Sequence, residues 1–289
     1  MFKAGIARYL SPAGTFFFAL QSLLSAQMCL GDDDFALDSA AEFSSFYLRV
    51  GTYLLDASTT ARVDGSAGRF GTRLDFEDDL NIEKRKDTLL AAARWRVADR
   101  HFLEMEYFNL TRYGRKRIDK EINFHETVFN IGADVNSSFT TEVTRIGYGY
   151  RVIKRPNWGL ALSAGIHITR LQATLDSLEF DSTNLPVVDA EIASVTAPLP
   201  TFGLSAARRL SENWTLVGKG QWFFLKFDEY GGSITHATAH FEHSTFRHAG
   251  FGFGYDWFDI NVDTTDTHWR GSVDVRFQGP LVFIQASFR

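Results

Sequence analysis

Histidine and carboxylate side chains of the kind that bind metal ions recur near residue 240 of this 289-residue chain. His236, His240 and Glu242 have the same parity, so on a β-strand they would share one face. Imidazole and carboxylate are both suitable metal ligands. Four residues of strand separate the two histidines by about 13 Å, however, which is too far for one ion. We therefore predict a polar lining with no metal and no other cofactor.

A hydrolase would need a nucleophile and a base, or paired carboxylates, that meet at one point. Ser244 follows His243 directly, but neighbours on a strand point to opposite faces. The acidic group from Asp75 to Asp79 has no Asp-His pair at a suitable spacing, and exposed acids are usually solvated. We expect that the protein is not an enzyme, with a hydrolase as the weaker alternative.

A basic group comprises Arg112, Arg115, Lys116 and Arg117. Such a group could hold phosphates by charge-assisted hydrogen bonds. The alternative is that these residues lie where a loop leaves its strand and are simply exposed to water. The net charge of the whole chain is only −5, which argues against a nucleic-acid partner.

These side chains must be positioned by long β-strands. Alternate residues are apolar from Ile146 to Val152 and again from Leu160 to Ile168, and the turn from Lys154 to Asn157 lies between the two runs. Each arm has roughly ten residues or more, about twice the usual strand length in soluble proteins and enough to cross a bilayer at a tilt. The same hairpin recurs along most of the chain.

The connections alternate between short and long. Short ones are predicted at 98–100, 154–157, 211–213 and 245–247, and long ones at 57–86, 114–138 and 176–197. Counting the segments predicts about ten strands, with eight or twelve as alternatives. We therefore predict an all-β fold, a single antiparallel up-and-down transmembrane barrel with short periplasmic turns and long extracellular loops.

The sequence of one hairpin also predicts which residues lie opposite one another on its two strands. A three-residue turn at 98–100 places Trp95 opposite Leu103 and Arg94 opposite Glu104. Apolar pairs then face one way and an opposite-charge pair faces the other. This arrangement is typical of a barrel that is apolar outside and polar inside.

The last strand changes its apolar parity. Val273, Val275 and Phe277 are odd-numbered, whereas Val282 and Ile284 are even-numbered. A bulge or bend at Gly279-Pro280 would let both runs face lipid, because proline cannot donate to the ladder and glycine often marks a bulge.

The amino terminus resembles a secretory signal peptide. Lys3 and Arg8 precede an apolar segment at 15–24, and Leu24-Ser25-Ala26 offers a small-residue cleavage site. We predict a signal peptide at 1–26, a polar linker at 27–44 and a barrel at 45–289. A buried amino-terminal helix is the alternative.

The final stretch, Leu281 to Phe288, resembles the carboxy-terminal signal of bacterial outer-membrane β-barrel proteins, although Arg289 follows the aromatic residue. The likeness is to the small up-and-down class, including OmpA-like, OmpW-like and porin-like barrels. It implies a location in the bacterial outer membrane and contact with the barrel-assembly machinery through the last strand. It also implies contact with the bilayer and with lipopolysaccharide, whose phosphates the basic group around Arg115 could hold.

In such a barrel the charged residues of the inner face would line the lumen. A narrow barrel would be plugged by these charges, and a wider one would be lined with water. The predicted lining residues are Arg49, Arg94, Arg96, Glu104, Glu106, Arg145, Arg151, Lys219, His240, Glu242, Asp256, Asp274 and Arg276.

Two functions fit this picture. The first is a narrow pore or passive channel for small solutes, because inward glycines leave space. The alternative is a closed structural or surface-binding barrel that acts through its loops. A soluble, lipocalin-like barrel is the non-membrane alternative, and it would enclose Leu162, Ile166, Phe253 and Ile284.

Overall fold

A computed structural model describes residues 44–65, 70–180, 186–227, 230–264 and 270–288. The predicted signal peptide, and all of the predicted linker except Ser44, lie outside the described residues. No helix among the described residues is long and apolar enough to cross a membrane. The elements are β1 (Phe46–Asp64), β2 (Leu74–Asp75), α1 (Phe76–Asp79), β3 (Arg85–Arg96), β4 (His101–Arg117), β5 (Ile122–Phe124), β6 (Thr127–Phe129), β7 (Asp134–Lys154), β8 (Trp158–Phe180), β9 (Pro186–Arg209), β10 (Trp214–Phe227), β11 (Tyr230–Ser244), β12 (Ala249–Thr264) and β13 (Arg270–Phe288).

Ten long strands form a closed antiparallel barrel, as the sequence predicts. Each barrel strand pairs with the next one along the chain, and β13 returns to pair with β1. The closing register runs from Phe46 opposite Phe288 to Asp64 opposite Arg270. β2 adds two residues beside β1, while β5 and β6 form a separate small hairpin. Each of the ten strands is therefore paired with two neighbours, although β9 pairs with β10 only from Phe202 to Arg209.

The four short turns occur where the sequence predicts them, between β3 and β4, β7 and β8, β9 and β10, and β11 and β12. The outer connections differ from expectation. The predicted loop from Asp176 to Ala197 is mostly strand, because β8 continues to Phe180 and β9 begins at Pro186. The predicted loop at 114–138 contains the β5–β6 hairpin.

A band of exposed apolar side chains surrounds the barrel next to the short turns. On β8 the outward positions are apolar from Trp158 to Ile168. This stretch is about 34 Å along the strand, or roughly 26 Å along the barrel axis at a tilt of about 40°, close to the roughly 25 Å band of outer-membrane barrels. Leu162 is 52% exposed and Ile284 is 68% exposed, which excludes the soluble-barrel alternative. We call the part of the barrel within this band the lower section.

We call the part of the barrel beyond this band the upper section. In the upper section the polarity of the two strand faces is reversed. Outward positions become polar, as at Asp56, Asp87 and Arg170, and inward positions become apolar. Water surrounds this section, so the apolar side chains pack inside. Because β8 continues from Arg170 to Phe180, the upper section extends roughly 30 Å along this strand.

This reversal explains why the predicted bulge in the last strand is wrong. The register on the β12 side is continuous through Tyr255 opposite Pro280 and Asp256 opposite Gly279. Val275 and Phe277 are fully buried inside the upper section, whereas Ile284 faces lipid in the lower section. The parity of the apolar residues changes because the solvent outside the strand changes, and the strand itself needs no bend.

Candidate functional site

The interior of the lower section contains a network of buried ion pairs. Glu104 accepts a hydrogen bond from Arg94, with 3.0 Å between Oε2 and Nη2, and its other oxygen accepts one from Arg145. All three side chains are buried. The pairing of Arg94 with Glu104 confirms the predicted register. Two guanidinium groups on one carboxylate offset much of the cost of burying these charges.

A second buried cluster lies on the strands that close the barrel. Arg49 donates to Glu242 at 2.5 Å, and the same carboxylate contacts the Nε2 atom of His240 at 3.0 Å. Gln285 accepts a hydrogen bond from Arg49 at 3.1 Å. This cluster joins β1, β11 and β13 across the lumen, so it braces the barrel where its first and last strands meet.

Aromatic rings occupy the space that the inward glycines leave. The Phe102 ring lies so close to Gly149 that a Cβ atom there would be 2.0 Å from it, and a Cβ atom at Gly252 would be 2.2 Å from the Phe283 ring. The guanidinium of Arg94 lies 4.2 Å from the centre of the Phe102 ring, and that of Arg49 lies 4.0 Å from Phe283. A cavity beside Arg94 and Phe102 has a volume of only about 10 Å³. The expectation that inward glycines leave open space is therefore wrong at Gly149 and Gly252.

Further into the barrel, histidines and polar side chains form a third cluster. His236 Nε2 lies 3.0 Å from Asp256 Oδ1, and His167 Nε2 lies 2.8 Å from Gln221. His236 and His240 thus contact different carboxylates. In the described part of the chain, no group of three potential ligands is arranged to hold a metal ion.

The other predicted lining residues fall on both faces of the wall. Arg96, Glu106, Arg151 and Lys219 occupy inward positions, with Arg96 bound to Ser45 and Lys219 near the hydroxyl of Tyr47. The assignment of Asp274 and Arg276 to the lumen is wrong, because they lie on the outer face, where Arg276 donates to Asp259 at 2.8 Å. Both belong to the upper section, where the polar face is the outer one.

Two segments fill the upper section from within. The insert, residues 70–84, carries α1 and places Leu74, Phe76 and Leu80 in the interior. The lid, residues 118–133, carries the β5–β6 hairpin and directs Ile122, Phe124 and Phe129 into the same core. All six side chains are buried against apolar residues of the barrel wall. Among the described residues, an apolar core therefore fills the interior at the outer end.

The insert is anchored by the basic group that the sequence singles out. Arg112 is fully buried on the inner face of β4 and donates to Glu77 of α1 at 2.5 Å, to the hydroxyl of Thr59 and to the backbone oxygen of Glu83. The prediction that Arg112 contacts lipopolysaccharide is therefore wrong. The parity of Arg112 matches that of Glu104 and could have placed it inside. The inward Lys116 donates to the backbone oxygen of Asp78, while Arg115 and Arg117 are exposed on the outer face.

The residues considered for hydrolysis are separated or have other partners. Asp75 caps α1 by accepting from the backbone of Asp78, and Asp79 pairs with Lys120. His243 contacts Thr245, and its ring packs on Trp214 at the membrane-facing surface. These contacts give the acidic group structural partners in the insert and the lid, and His243 structural partners in the β11–β12 turn and the wall.

Comparison with known proteins gives a likeness in fold. No protein-family model and no curated protein matches this sequence. The solved outer membrane protease OmpT from Escherichia coli is similar at 10% identity and a TM-score of 0.55, over 84% of this chain and 96% of that one. Weaker likenesses include the Pseudomonas putida toluene transporter TodX, with 8% identity, a TM-score of 0.35, and 85% and 90% of the two chains covered. The Yersinia pestis attachment invasion locus protein Ail, in complex with a heparin analogue, has 8% identity and a TM-score of 0.33, with 82% and 97% covered.

The location in the bacterial outer membrane that the sequence predicts agrees with this fold. The closed wall of ten strands, the apolar band outside it and the polar interior behind that band are the features that this class of protein requires. The chain therefore has the fold of a bacterial outer-membrane β-barrel.

Proposed function

We propose that the protein is a closed outer-membrane barrel that binds a macromolecular partner at the cell surface through its upper section. The observation that carries this proposal is the filled interior. Ion pairs and aromatic rings occupy the lower section, and the insert and the lid occupy the upper one. With this interior, the surface available for a partner is the outside of the upper section.

The filled interior argues against the narrow pore that the sequence also suggests. A passive channel needs a continuous water-filled path, and here buried charges neutralise one another inside the lower section. Moving Arg49 aside would leave Glu242 buried without its guanidinium partner, at a cost of roughly 3–5 kcal/mol. Two such networks, with the apolar core above them, make spontaneous opening rare.

The outer surface of the lid supports a binding role. Ile131 is 69% exposed, and Val128 lies on the face of β6 opposite the buried Phe129. Phe70, in the neighbouring insert, is 80% exposed, and the insert contacts the lid through Thr72 and Asn123. We infer that these side chains belong to one exposed apolar patch, and such patches mark protein interaction surfaces.

The lid is held firmly enough to present such a surface. His125 Nδ1 and the hydroxyl of Thr127 each contact a carboxylate oxygen of Glu191 on β9, both at 2.9 Å. The backbone of His125 also donates to Val63 on β1. The lid is thus fixed to opposite sides of the barrel mouth, which lowers the entropy cost of binding a partner.

Two measurements test the proposal. Purified protein in planar bilayers should give no discrete conductance steps. Regular steps would instead support the narrow-pore function. Cells that display the protein should attach to target surfaces more than cells that lack it, and the F70S/I131S variant should lose this gain. An S58A variant on the outer wall, with equal surface expression, is the control. Attachment that is unchanged by F70S/I131S would refute binding through the lid.

As part of the same proposal, Arg115 and Arg117 contact lipopolysaccharide. Both are exposed on the outer face of β4, and guanidinium groups bind phosphate well. The R115E/R117E variant should retain less lipopolysaccharide during purification than an R62A variant. Equal retention would count against the contact.

We also propose that the protein is not an enzyme, so peptide and lipid hydrolysis by purified barrel should not exceed the background rate.

A further inference from the structure

A groove lies on the lipid-facing surface where the first and last strands meet. Leu48 and Val50 of β1, Ile284 of β13 and Phe251 of β12 line it, and Phe246 of the β11–β12 turn closes its lower end. Its volume is about 510 Å³. The small side chains of Ala249 and Ala286 lie among these larger ones and leave the space of the groove.

The lower end of the groove opens at the level of the short, periplasmic turns. Arg247 is exposed in the same turn as Phe246. Next to it, His248 stacks on Phe288 with 5.8 Å between ring centroids, and its Nδ1 atom contacts the backbone oxygen of Ser287. The groove is therefore mainly apolar, and the exposed cation Arg247 directly follows Phe246, the residue at its periplasmic end.

Among the described residues, the periplasmic rim is basic. Its turns and the adjoining strand ends carry more cations than carboxylates, which favours anionic groups near this end of the barrel. The cations are Arg100, Lys154, Arg155, Arg208, Arg209 and Arg247, and the carboxylates are Asp99 and Glu212.

We propose that the groove holds an acyl chain of an anionic phospholipid in the periplasmic leaflet, with the phosphate of that lipid at Arg247. The apolar lining suits a hydrocarbon chain, and the cation beside the periplasmic end of the groove suits a phosphate. The short turns place the groove in the periplasmic leaflet, so a phospholipid rather than lipopolysaccharide is its occupant. The inference does not depend on the surface-binding role.

Native mass spectrometry of the full barrel tests this proposal. The protein is delipidated in a non-ionic detergent and then mixed with phosphatidylglycerol or phosphatidylethanolamine. We expect one phosphatidylglycerol to remain bound per barrel, with weaker retention of phosphatidylethanolamine. The R247E variant should bind phosphatidylglycerol about five- to thirty-fold more weakly, because one attraction is lost and one repulsion is added.

Matched variants separate this site from the general charge of the rim. R155E makes the same charge reversal in the β7–β8 turn, away from the groove, and should change retention much less than R247E. A286F fills the groove and should abolish the specific retention, whereas A206F adds the same ring to the lipid-facing surface of β9 and should not. Each variant must first show the heat-modifiable migration of a folded barrel.

Several results would overturn the proposal. Equal retention of the two lipids, equal effects of R247E and R155E, or normal retention by A286F would each show that the groove is not a specific lipid site. Phospholipid that binds only after removal of residues 27–43 would show that the chain itself occupies the groove. A dimer that excludes lipid would show that a second copy does.

Discussion

Arg112 of the barrel wall and Glu77 of the insert form an ion pair of 2.5 Å in which the arginine is fully buried. The same guanidinium binds Thr59 on β1, so one side chain ties β4, β1 and α1 together. The contact fixes the insert in the lumen, which is the arrangement that closes the upper section.

Replacement of Arg112 by alanine should lower the free energy of unfolding by roughly 3–5 kcal/mol, because Glu77 loses its cation inside the barrel. Urea unfolding in detergent measures this loss, and trypsin should also cut the insert faster at Arg73 or Lys84. The control R115A removes an exposed arginine from the same strand and should change stability by less than about 0.5 kcal/mol. Similar effects of the two variants would contradict the anchoring role of Arg112.

Replacement of Gly149 by valine should destabilise the barrel by roughly 1–3 kcal/mol, because its Cβ atom would overlap the Phe102 ring. The F102A variant alone should also be destabilised, through the cavity that it leaves. In the double variant the two costs should be less than additive. The F102A change removes the ring that the valine would overlap, and the valine fills part of the cavity that F102A leaves. Strict additivity in a double-mutant cycle would show that the ring does not occupy the space at Gly149.

An arginine at Leu162 should cost roughly 2–4 kcal/mol, because this position lies near the middle of the lipid-facing band of β8. An arginine at Thr174, which faces outward on the same strand above the band, should cost less than about 0.5 kcal/mol. Guanidinium titrations of protein inserted in liposomes compare the two. Equal costs would mean that the boundary between lipid and water is not where the outward polarity changes.

The exposed turn between β3 and β4 should show a small dependence of stability on pH. A hydrogen bond from Lys154 lowers the pKa of Asp99 in the folded state. This contribution to stability is therefore present at neutral pH and is lost as the pH falls from about 4 through the lowered pKa. NMR titration of the Asp99 carboxyl should give a normal pKa in the K154M variant. An unchanged pKa in that variant would exclude Lys154 as the cause.

The strand count, the short turns and the register between Arg94 and Glu104 could be predicted from the sequence because each depends on local alternation. The barrel interior could not. The glycine at 149 predicts empty space when considered alone, and only the cross-strand pairing with Phe102 shows that the space is filled. Contacts of this kind depend on the register of a neighbouring strand.

The errors at the outer end share one physical cause. The alternation alone predicts Asp274 and Arg276 inside and Val275 outside, because it implies a polar interior along the whole strand. The change of surroundings from lipid to water at the end of the band reverses that rule. The positions of Arg112 and Glu77 depend further on how the insert folds back into the lumen, which no periodicity in the chain encodes.

The apolar filling of the upper section has a consequence for the way the molecule responds to its surroundings. Detergent or lipid needs to solvate only the lower half, while the outer half is maintained by the same forces as the centre of a water-soluble protein. Extraction from the membrane should therefore leave the surface-exposed half intact, and chaotropes should attack it first. A single continuous strand such as β13 is thus stabilised as in a water-soluble protein on one side of Pro280 and as in a membrane protein on the other.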